Sequence, residues 1–212
     1  MSEPSFSLTT ELNGSVAVIR FNRPAERNPL SVSTLNELRT SFSTMATGSN
    51  VEAIIFTGTD DVFASGADIR ELTSLDSASA REFSKMGQEF FQTIASARQV
   101  TIAAVNGYCM GGAFDLALAC DIRLASANAV FAHPGARLGI ITGWGGTQRL
   151  PLIIGKARAL EFFATARRVS SEEALAFGLI TGIHDPVLEP ALALAGTLLE
   201  RRKAPSKSPA PC

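Results

Sequence analysis

The sequence predicts an α/β fold. Short apolar segments of strand length alternate along the chain with longer segments in which apolar residues recur every three or four positions. Hydrophobic residues form 46% of the 212 residues and charged residues 18%, the composition of a folded chain with a substantial core. The length suits one domain, which we assign to residues 1–200. Residues 201–212 carry Lys, Pro and Ser with little to bury, so we expect a flexible tail there.

The N-terminal part predicts a β-hairpin followed by a helix. Residues 6–12 and 16–21 flank Asn13-Gly14, a pair that favours a tight hairpin turn. Asn22-Arg23-Pro24 then breaks the second strand. A helix is predicted over residues 31–46, because apolar side chains recur there at helical spacing. The residues with this spacing are Leu35, Leu38, Phe42 and Met45.

The middle of the chain repeats a strand, a glycine-containing turn and a helix. The strand at 51–57 leads through a loop at 58–65 to Gly66 and a short helix, and the strand at 101–105 leads through Asn106-Gly107 to Gly111-Gly112. Two such units, when stacked, place their glycine-rich turns side by side, and we expect the chemistry there. Helices are also predicted at 78–97 and 112–119, and strands at 121–125 and 129–132.

Residues 101–120 are mostly apolar and long enough to resemble a membrane span. Asn106-Gly107, Gly111-Gly112 and Asp115 interrupt the segment, which favours a strand, a turn and a buried helix. No span is predicted.

The last third is predicted to be mainly helical. A helix is predicted at 156–166, and Ser170 opens another, with Glu173 placed to complete a capping box. A brief strand is predicted at 179–183, and a last helix at 186–202 that Pro186 opens.

Charge and motifs argue against several function classes. The formal net charge is −1, so no overall field attracts nucleic acid or an anionic membrane. Cys109, Cys120 and Cys212 lack CxxC spacing and only two histidines are present, which argues against a metal site or disulfides and favours a reducing cytoplasm. Residues 1–11 lack the pattern of an export signal. Neither a P-loop motif nor a dinucleotide-binding motif occurs.

Glycines mark the junctions between predicted strands and helices. Gly112 stands where a helix begins, so its backbone N–H has no partner within the helix and lies at the positive end of the dipole. The segment 63–69 offers a second donor, the N–H of Ala67. Two donors that converge on one oxygen form an oxyanion hole, which stabilises charge on a carbonyl. Glycines at such junctions also serve close packing alone, and the residues by themselves leave both interpretations open.

Five blocks carry a family resemblance. The sequence contains FASGADI at 63–69, NGYCMGGAFDLALACDIRLA at 106–125 and LGIITGWGGTQRLPLIIG at 138–155, with FNRPAERNPL at 21–30 and SSEEALAFGLI at 170–180 on either side. In order and spacing these blocks resemble the signature segments of the crotonase (enoyl-CoA hydratase/isomerase) family. The similarity runs from about Val16 to His184, nearly the whole folded chain.

The resemblance implies a spiral of β-β-α units and assembly into homotrimers, often paired into hexamers. It implies an enoyl-CoA hydratase-like enzyme that stabilises the enolate of an acyl-CoA thioester, with coenzyme A as part of the substrate and no separate cofactor. The family normally continues with further helices, whereas this chain stops soon after Arg202. We therefore expect a shortened C-terminal helical region, a more open pocket and a less secure assembly.

Carried over residue by residue, the resemblance assigns the oxyanion hole to the N–H groups of Ala67 and Gly112. It implies that residues 64–69 line the adenine and pantetheine path and that residues 25–28 lie beside the nucleotide. Arg27 would contact a phosphate there, or remain a solvated surface arginine. The residues implied to bind substrate are Ala25, Arg27, Ala64, Gly66, Asp68, Ile69, Gly111 and Gly135.

Hydratases of the family use two glutamates, and this sequence departs from both. The first position is Asp115, which lies about one helical turn beyond Gly112 and so near the oxyanion donors. We expect Asp115 to act as an acid–base catalyst; the alternative is a buried acid that holds a hydrogen bond within the trimer.

The second glutamate is replaced by Gly135, which cannot transfer protons. Hydration is therefore in doubt, and so is any isomerase mechanism that depends on the same acid. His133 is the only nearby titratable substitute; alternatively it is a loop histidine without a catalytic role. Isomerisation, decarboxylation of a malonyl-type thioester, and CoA-ester binding with little activity remain alternatives.

Overall fold

A computed structural model describes residues 6–48 and 50–203 of the protein, and its strands and helices alternate along the chain. The strands are β1 Leu8–Asn13, β2 Val16–Phe21, β3 Pro29–Leu30, β4 Ala53–Thr57, β5 Val62–Ala64, β6 Gly66–Ala67, β7 Val100–Val105, β8 Tyr108–Met110, β9 Ile122–Ala125, β10 Val130–Ala132, β11 Val169–Ser170 and β12 Gly182–Ile183. The α-helices are α1 Val32–Thr47, α2 Ile69–Leu72, α3 Ser77–Ala95, α4 Gly112–Ala119, α5 Gly146–Ile154, α6 Lys156–Thr165, α7 Ser171–Ala176 and α8 Leu188–Lys203. Two short 3-10 helices cover Pro24–Glu26 and Pro134–Leu138.

The strands form a spiral. The largest sheet has the order β1-β2-β4-β7-β9-β12, the second has the order β11-β10-β8-β5, and β3 pairs with β6. The chain passes from the largest sheet to the second at β4–β5, at β7–β8 and at β9–β10, and helices follow each passage. Neighbouring strands from successive passages are parallel. The α/β class and the β-β-α spiral are therefore confirmed.

The largest sheet is buried on both faces. Ile54 and Phe56 of β4 belong to the main core, which includes side chains of α1, α3 and α4. Ala53 and Ile55 of the same strand belong to a second cluster, to which α8 contributes Ala191, Ala195 and Leu199. A strand buried on both faces has a continuous apolar sequence rather than an alternating one. This double burial explains the unbroken apolar run at 53–56.

Several predicted elements differ from the structure because long-range contacts decide them. The predicted loop 58–65 contains β5, a three-residue strand that exists because it pairs with β8. The predicted strand at 179–183 is reduced to β12, since Leu179 and Ile180 instead continue the turn after α7 through hydrogen bonds to Ala174 O.

The two predicted C-terminal helix starts also need correction. Ser170 caps α7 by accepting from the Glu173 N–H, but the Glu173 carboxylate binds Arg167 and does not complete the capping box. The last helix begins at Leu188, two residues beyond Pro186. The tail predicted from residue 201 still belongs to α8 as far as residue 203, and the rest of it lies outside the described residues.

Residues 101–120 form β7, β8 and α4; the first strand and the buried helix are as predicted, whereas the three-residue strand β8 lies where a turn is predicted. In the described ranges, no helix combines the length and the apolar character that crossing a membrane requires.

Arg123 connects β9 to two neighbouring elements. Its buried guanidinium donates from Nε to Leu179 O at 2.8 Å and from one terminal nitrogen to Cys120 O at 2.6 Å. Cys120 is the C-cap of α4, so this side chain satisfies a carbonyl that the helix leaves unpaired. Arg123 thereby holds the C-terminal end of α4 against the larger sheet.

We predict that Arg123→Met lowers the free energy of unfolding by about 3 kcal/mol, because at least two buried carbonyls lose their donor. Urea denaturation measures the change. Arg98→Met is the control, since Arg98 is exposed, and it should stay within about 0.5 kcal/mol of wild type. Equal effects of the two substitutions would contradict the role given to Arg123.

Candidate active site

The turn before α4 presents one free backbone donor. Gly111 is the N-cap of α4, with φ 54° and ψ −124°, a conformation that requires glycine. Its carbonyl accepts from Phe114 and Asp115, and its N–H donates to Ala132 O at 2.9 Å. Gly112 follows as the first helical residue, so its N–H has no acceptor within the helix.

The second donor lies on β6. Pro29 and Leu30 of β3 pair in parallel with Gly66 and Ala67. Because Pro29 has no N–H, the backbone groups of Gly66 must face β3 to complete the pairing. Backbone groups of successive strand residues point to opposite sides, so the Ala67 N–H faces away from β3.

Gly66 also sets the distance between the two turns. A Cβ atom on Gly66 would lie 2.6 Å from Met110 O and 2.9 Å from the Gly112 nitrogen. Any side chain at position 66 would therefore push the turn at 110–112 away. The absence of a side chain brings Ala67 beside Gly112.

Ala67 and Gly112 both line a cavity of about 250 Å³. Apolar side chains of α2 and α3, the loop after β10 and Trp144 form most of its wall. The apolar lining residues are Ile69, Leu72, Leu75, Ala80, Phe83, Leu138, Ile140, Ile141 and Trp144. Two backbone donors against an apolar wall suit a carbonyl group attached to a hydrocarbon chain.

Trp144 forms the part of the cavity wall next to Gly112. Its indole Nε1 donates to Phe83 O at 3.2 Å. The ring packs so closely on Gly87 of α3 and on Gly112 that a Cβ atom at either glycine would overlap it. These contacts give Trp144 a packing role.

Asp115 lies behind the cavity wall. Its side chain is fully buried on α4, with Oδ1 2.8 Å from His133 Nε2, while Oδ2 accepts a hydrogen bond from the Thr142 hydroxyl. Gly146 closes the remaining side, because a Cβ atom there would overlap Oδ1. His133, and not Asp115, is among the residues that line the cavity.

Gly135 belongs to the loop that carries His133. The Ile140 N–H donates to Gly135 O at 3.0 Å and closes the loop. A Cβ atom on Gly135 would lie 2.6 Å from Ile140 O, so a larger residue requires the backbone to move. A glutamate at this position would therefore strain the loop.

Sequence and structure comparisons identify the family. A profile of the Enoyl-CoA hydratase/isomerase family matches residues 11–208. The chain belongs to this family. It is 37% identical over 198 residues to a crotonyl-CoA hydratase of Syntrophomonas wolfei, covering 92% of this chain and 76% of that protein. It is 38% identical over 177 residues to a short-chain-enoyl-CoA hydratase of Clostridium acetobutylicum, covering 83% and 68%. The crystal structure of enoyl-CoA hydratase from Bacillus anthracis matches with a TM-score of 0.87 at 32% identity, covering 92% and 77%.

The cavity of this family member brings together only part of the predicted substrate-binding set. Of that set, Ile69, Gly111 and Gly135 line the cavity, beside the predicted oxyanion donors Ala67 and Gly112. Ala64 is fully buried in β5 and Gly66 is buried in β6. Asp68 caps α2, and its hydrogen bond from Arg70 lowers the pKa of the carboxyl.

The residues of the predicted nucleotide end do not line the cavity, although the Arg27 carbonyl accepts from the N–H of Ser65, which does. Ala25 and Arg27 are exposed, and the Arg27 guanidinium lies 5.5 Å from the centre of the Tyr108 ring. Their block is fixed by Asn28, a buried residue that the motif did not single out. Asn28 accepts from Arg23 N–H at 2.7 Å and donates to Val62 O at 3.0 Å. This anchoring holds the block beside the strand that leads to β6.

Other contacts of the site had no local signal in the sequence. Thr142 reaches Asp115 from 27 positions away, and His133 from 18 positions away. Within the described ranges, no group of three or more His, Cys, Asp or Glu side chains is arranged to hold a metal ion.

We predict that Gly135→Glu destabilises the protein by about 1–3 kcal/mol, because the new Cβ atom overpacks against Ile140 O. We expect no gain in hydration of crotonyl-CoA, since the displaced loop no longer presents the acid correctly. Urea denaturation and hydration rates test both statements. Ala136→Glu, an exposed position on the same turn, is the control and should keep wild-type stability. A stable Gly135→Glu variant with faster hydration would refute this account of the loop.

Proposed function

We propose that this chain is an enoyl-CoA hydratase-like enzyme that binds an acyl-CoA thioester and stabilises its enolate. The observation that carries the proposal is the placement of the Ala67 and Gly112 N–H groups at one apolar cavity. A thioester oxygen held between the two donors gains negative charge when a proton leaves the neighbouring carbon. Coenzyme A enters as part of the substrate, and the reaction needs no other cofactor.

Among the described residues, no carboxylate side chain lines the cavity, so the site lacks the two carboxylates of a two-glutamate hydratase. Asp115, the predicted acid–base group, has both oxygens bound and does not line the cavity. Gly135 lines the cavity but has no side chain. Reactions that need only one proton-transferring group, such as double-bond isomerisation or thioester decarboxylation, are therefore the second candidate. His133 favours them, because within the described ranges it is the only titratable side chain that lines the cavity. A CoA-ester-binding protein with little activity is the third.

Assembly and location remain part of the proposal. Leu152 on α5 and Leu160 on α6 are exposed at 87% and 65%, which suits contacts between copies in a homotrimer or hexamer.

Cys109 and Cys120 are buried free thiols, and burial raises both pKa values, that of Cys120 to about 12. Unpaired thiols fit the reducing cytoplasm.

We predict that Ala67→Pro lowers the turnover of its acyl-CoA substrate ~10²–10³-fold, because proline removes one oxyanion donor. The N–H of Ala67 takes no part in the β3–β6 pairing, so the fold should survive. Ala67→Gly keeps the N–H and is the matched control, with activity close to wild type. Melting curves establish that both variants are folded. Wild-type turnover in a folded Ala67→Pro variant would remove Ala67 from the mechanism.

We predict that hydration of crotonyl-CoA is ~10²–10⁴-fold slower than in a two-glutamate hydratase under the same conditions, because one general acid–base group is missing. Conversion of a 3-enoyl-CoA to the 2-enoyl-CoA should be the faster reaction. Absorbance of the conjugated thioester follows both reactions in one instrument. Hydration at the rate of the two-glutamate enzyme would mean that another group supplies the second proton transfer.

A further inference from the structure

Asp115 and His133 form a buried hydrogen-bonded pair beside the cavity. Their side chains are 0% and 4% exposed. Among the described residues, no other salt bridge has both partners so deeply buried. A buried carboxylate is retained only when hydrogen bonds satisfy it. Both oxygens of the Asp115 carboxylate have such a hydrogen bond, one to His133 and one to Thr142. The role of Asp115 therefore follows from the side chains that these bonds hold in place.

The hydrogen bonds define the tautomer of His133. An ionised carboxylate only accepts hydrogen bonds, so Nε2 must carry the proton that lies between the imidazole and Asp115 Oδ1. The Thr142 hydroxyl donates to Oδ2 and completes the shell of the carboxylate. Nδ1 of a neutral ring is then an acceptor. Within residues 6–48 and 50–203 the imidazole makes no second hydrogen bond, which leaves Nδ1 available.

The surroundings hold the ring in place. The rings of Phe114 and Phe163 lie with their centres 5.7 Å and 5.3 Å from the imidazole centre. His133 lines the same cavity as the two oxyanion donors, Ala67 and Gly112. A base whose orientation is fixed by a carboxylate, and which shares a cavity with an oxyanion hole, has the parts needed to remove a proton next to a carbonyl.

We propose that His133 is the catalytic base of this site and that Asp115 is its positioning residue. The inference rests on the proposed acyl-CoA function. Nδ1 takes a proton from C2 of a 3-enoyl-CoA, the C–H electron pair forms the C1–C2 double bond, and the carbonyl electrons move to the oxygen held by Ala67 and Gly112. The imidazolium then returns the proton to C4, which re-forms the carbonyl and leaves the double bond between C2 and C3. One base therefore completes an isomerisation without water or a second acid.

Asp115 acts on this step only through His133. It keeps the proton on Nε2 in the resting state and stabilises the imidazolium once Nδ1 is protonated. Its own side chain does not line the cavity, because His133, Thr142 and Gly146 enclose the carboxylate oxygens. The two residues should therefore respond differently to substitution.

The test measures exchange of the C2 protons of butyryl-CoA with D2O, which reports proton removal without hydration. His133→Gln keeps a donor to Asp115 but cannot take a proton, so exchange and isomerisation should fall at least ~10²-fold. Butyryl-CoA affinity and melting temperature should stay near wild type. His184→Gln, at the only other histidine of the sequence, is the matched control and should leave exchange unchanged.

Two further variants separate base from positioning residue. Asp115→Asn should lower kcat ~10²-fold with little change in KM, because the amide no longer fixes the reactive tautomer. His133→Ala should regain part of its exchange when imidazole is added, since the ring is the missing group.

Wild-type exchange in a folded His133→Gln variant would overturn the inference. If that variant exchanges normally while Ala67→Pro does not, the enolate function stands and only the assignment to His133 fails. Loss of exchange in Asp115→Asn together with full exchange in His133→Gln would make the carboxylate itself the base. A wild-type protein that binds butyryl-CoA and exchanges no proton would overturn both the proposed function and this inference.

Discussion

The close approach of two turns controls the candidate active site. Gly66 lies against the backbone at Met110 and Gly112, at a distance that no residue with a Cβ atom allows. The parallel pairing of β5 with β8 sets the two turns side by side, and the glycine lets them touch. The oxyanion hole depends on this contact, because the Ala67 and Gly112 donors face one cavity only when their turns are adjacent. The β-β-α spiral therefore places the ends of successive strands next to one another.

The buried Asp115–His133 pair is a second constraint, and it opposes stability rather than supporting it. Removing a charge from water is unfavourable by several kcal/mol, and hydrogen bonds recover this only when they are complete. Here the imidazole and the Thr142 hydroxyl supply one donor to each carboxylate oxygen. An apolar residue at position 115 would fill α4 without that penalty. A carboxylate that is buried beside the main core and hydrogen-bonded to His133 and Thr142 is consistent with the role proposed for it at the adjoining cavity.

The sequence predicted the elements whose signal is local and failed where pairing decides. Helical spacing indicated α1, and the continuous apolar run indicated β4, because each pattern is contained within its own segment. β5 was predicted as a loop, since three residues carry no period and the strand exists only through β8. The site divides in the same way. The motif resemblance assigned Ala67, Gly112 and Asp115. The contact of Thr142 with Asp115 and the close approach of Gly135 to Ile140 depend instead on the shape of a loop, which residue spacing does not reveal.

That loop relates the missing acid to the histidine. Residues 133–142 carry, in order, the imidazole, the glycine that replaces the second glutamate, and the hydroxyl that binds Asp115. The Ile140 N–H closes the loop on Gly135 O, and the same closure brings Thr142 back to α4. A glutamate at position 135 would displace Ile140 and with it the path to Thr142. A second acid at position 135 would therefore disturb the Asp115–His133–Thr142 network. Under the function proposed above, the closed glycine loop presents a fixed imidazole where the family resemblance implies a second carboxylate.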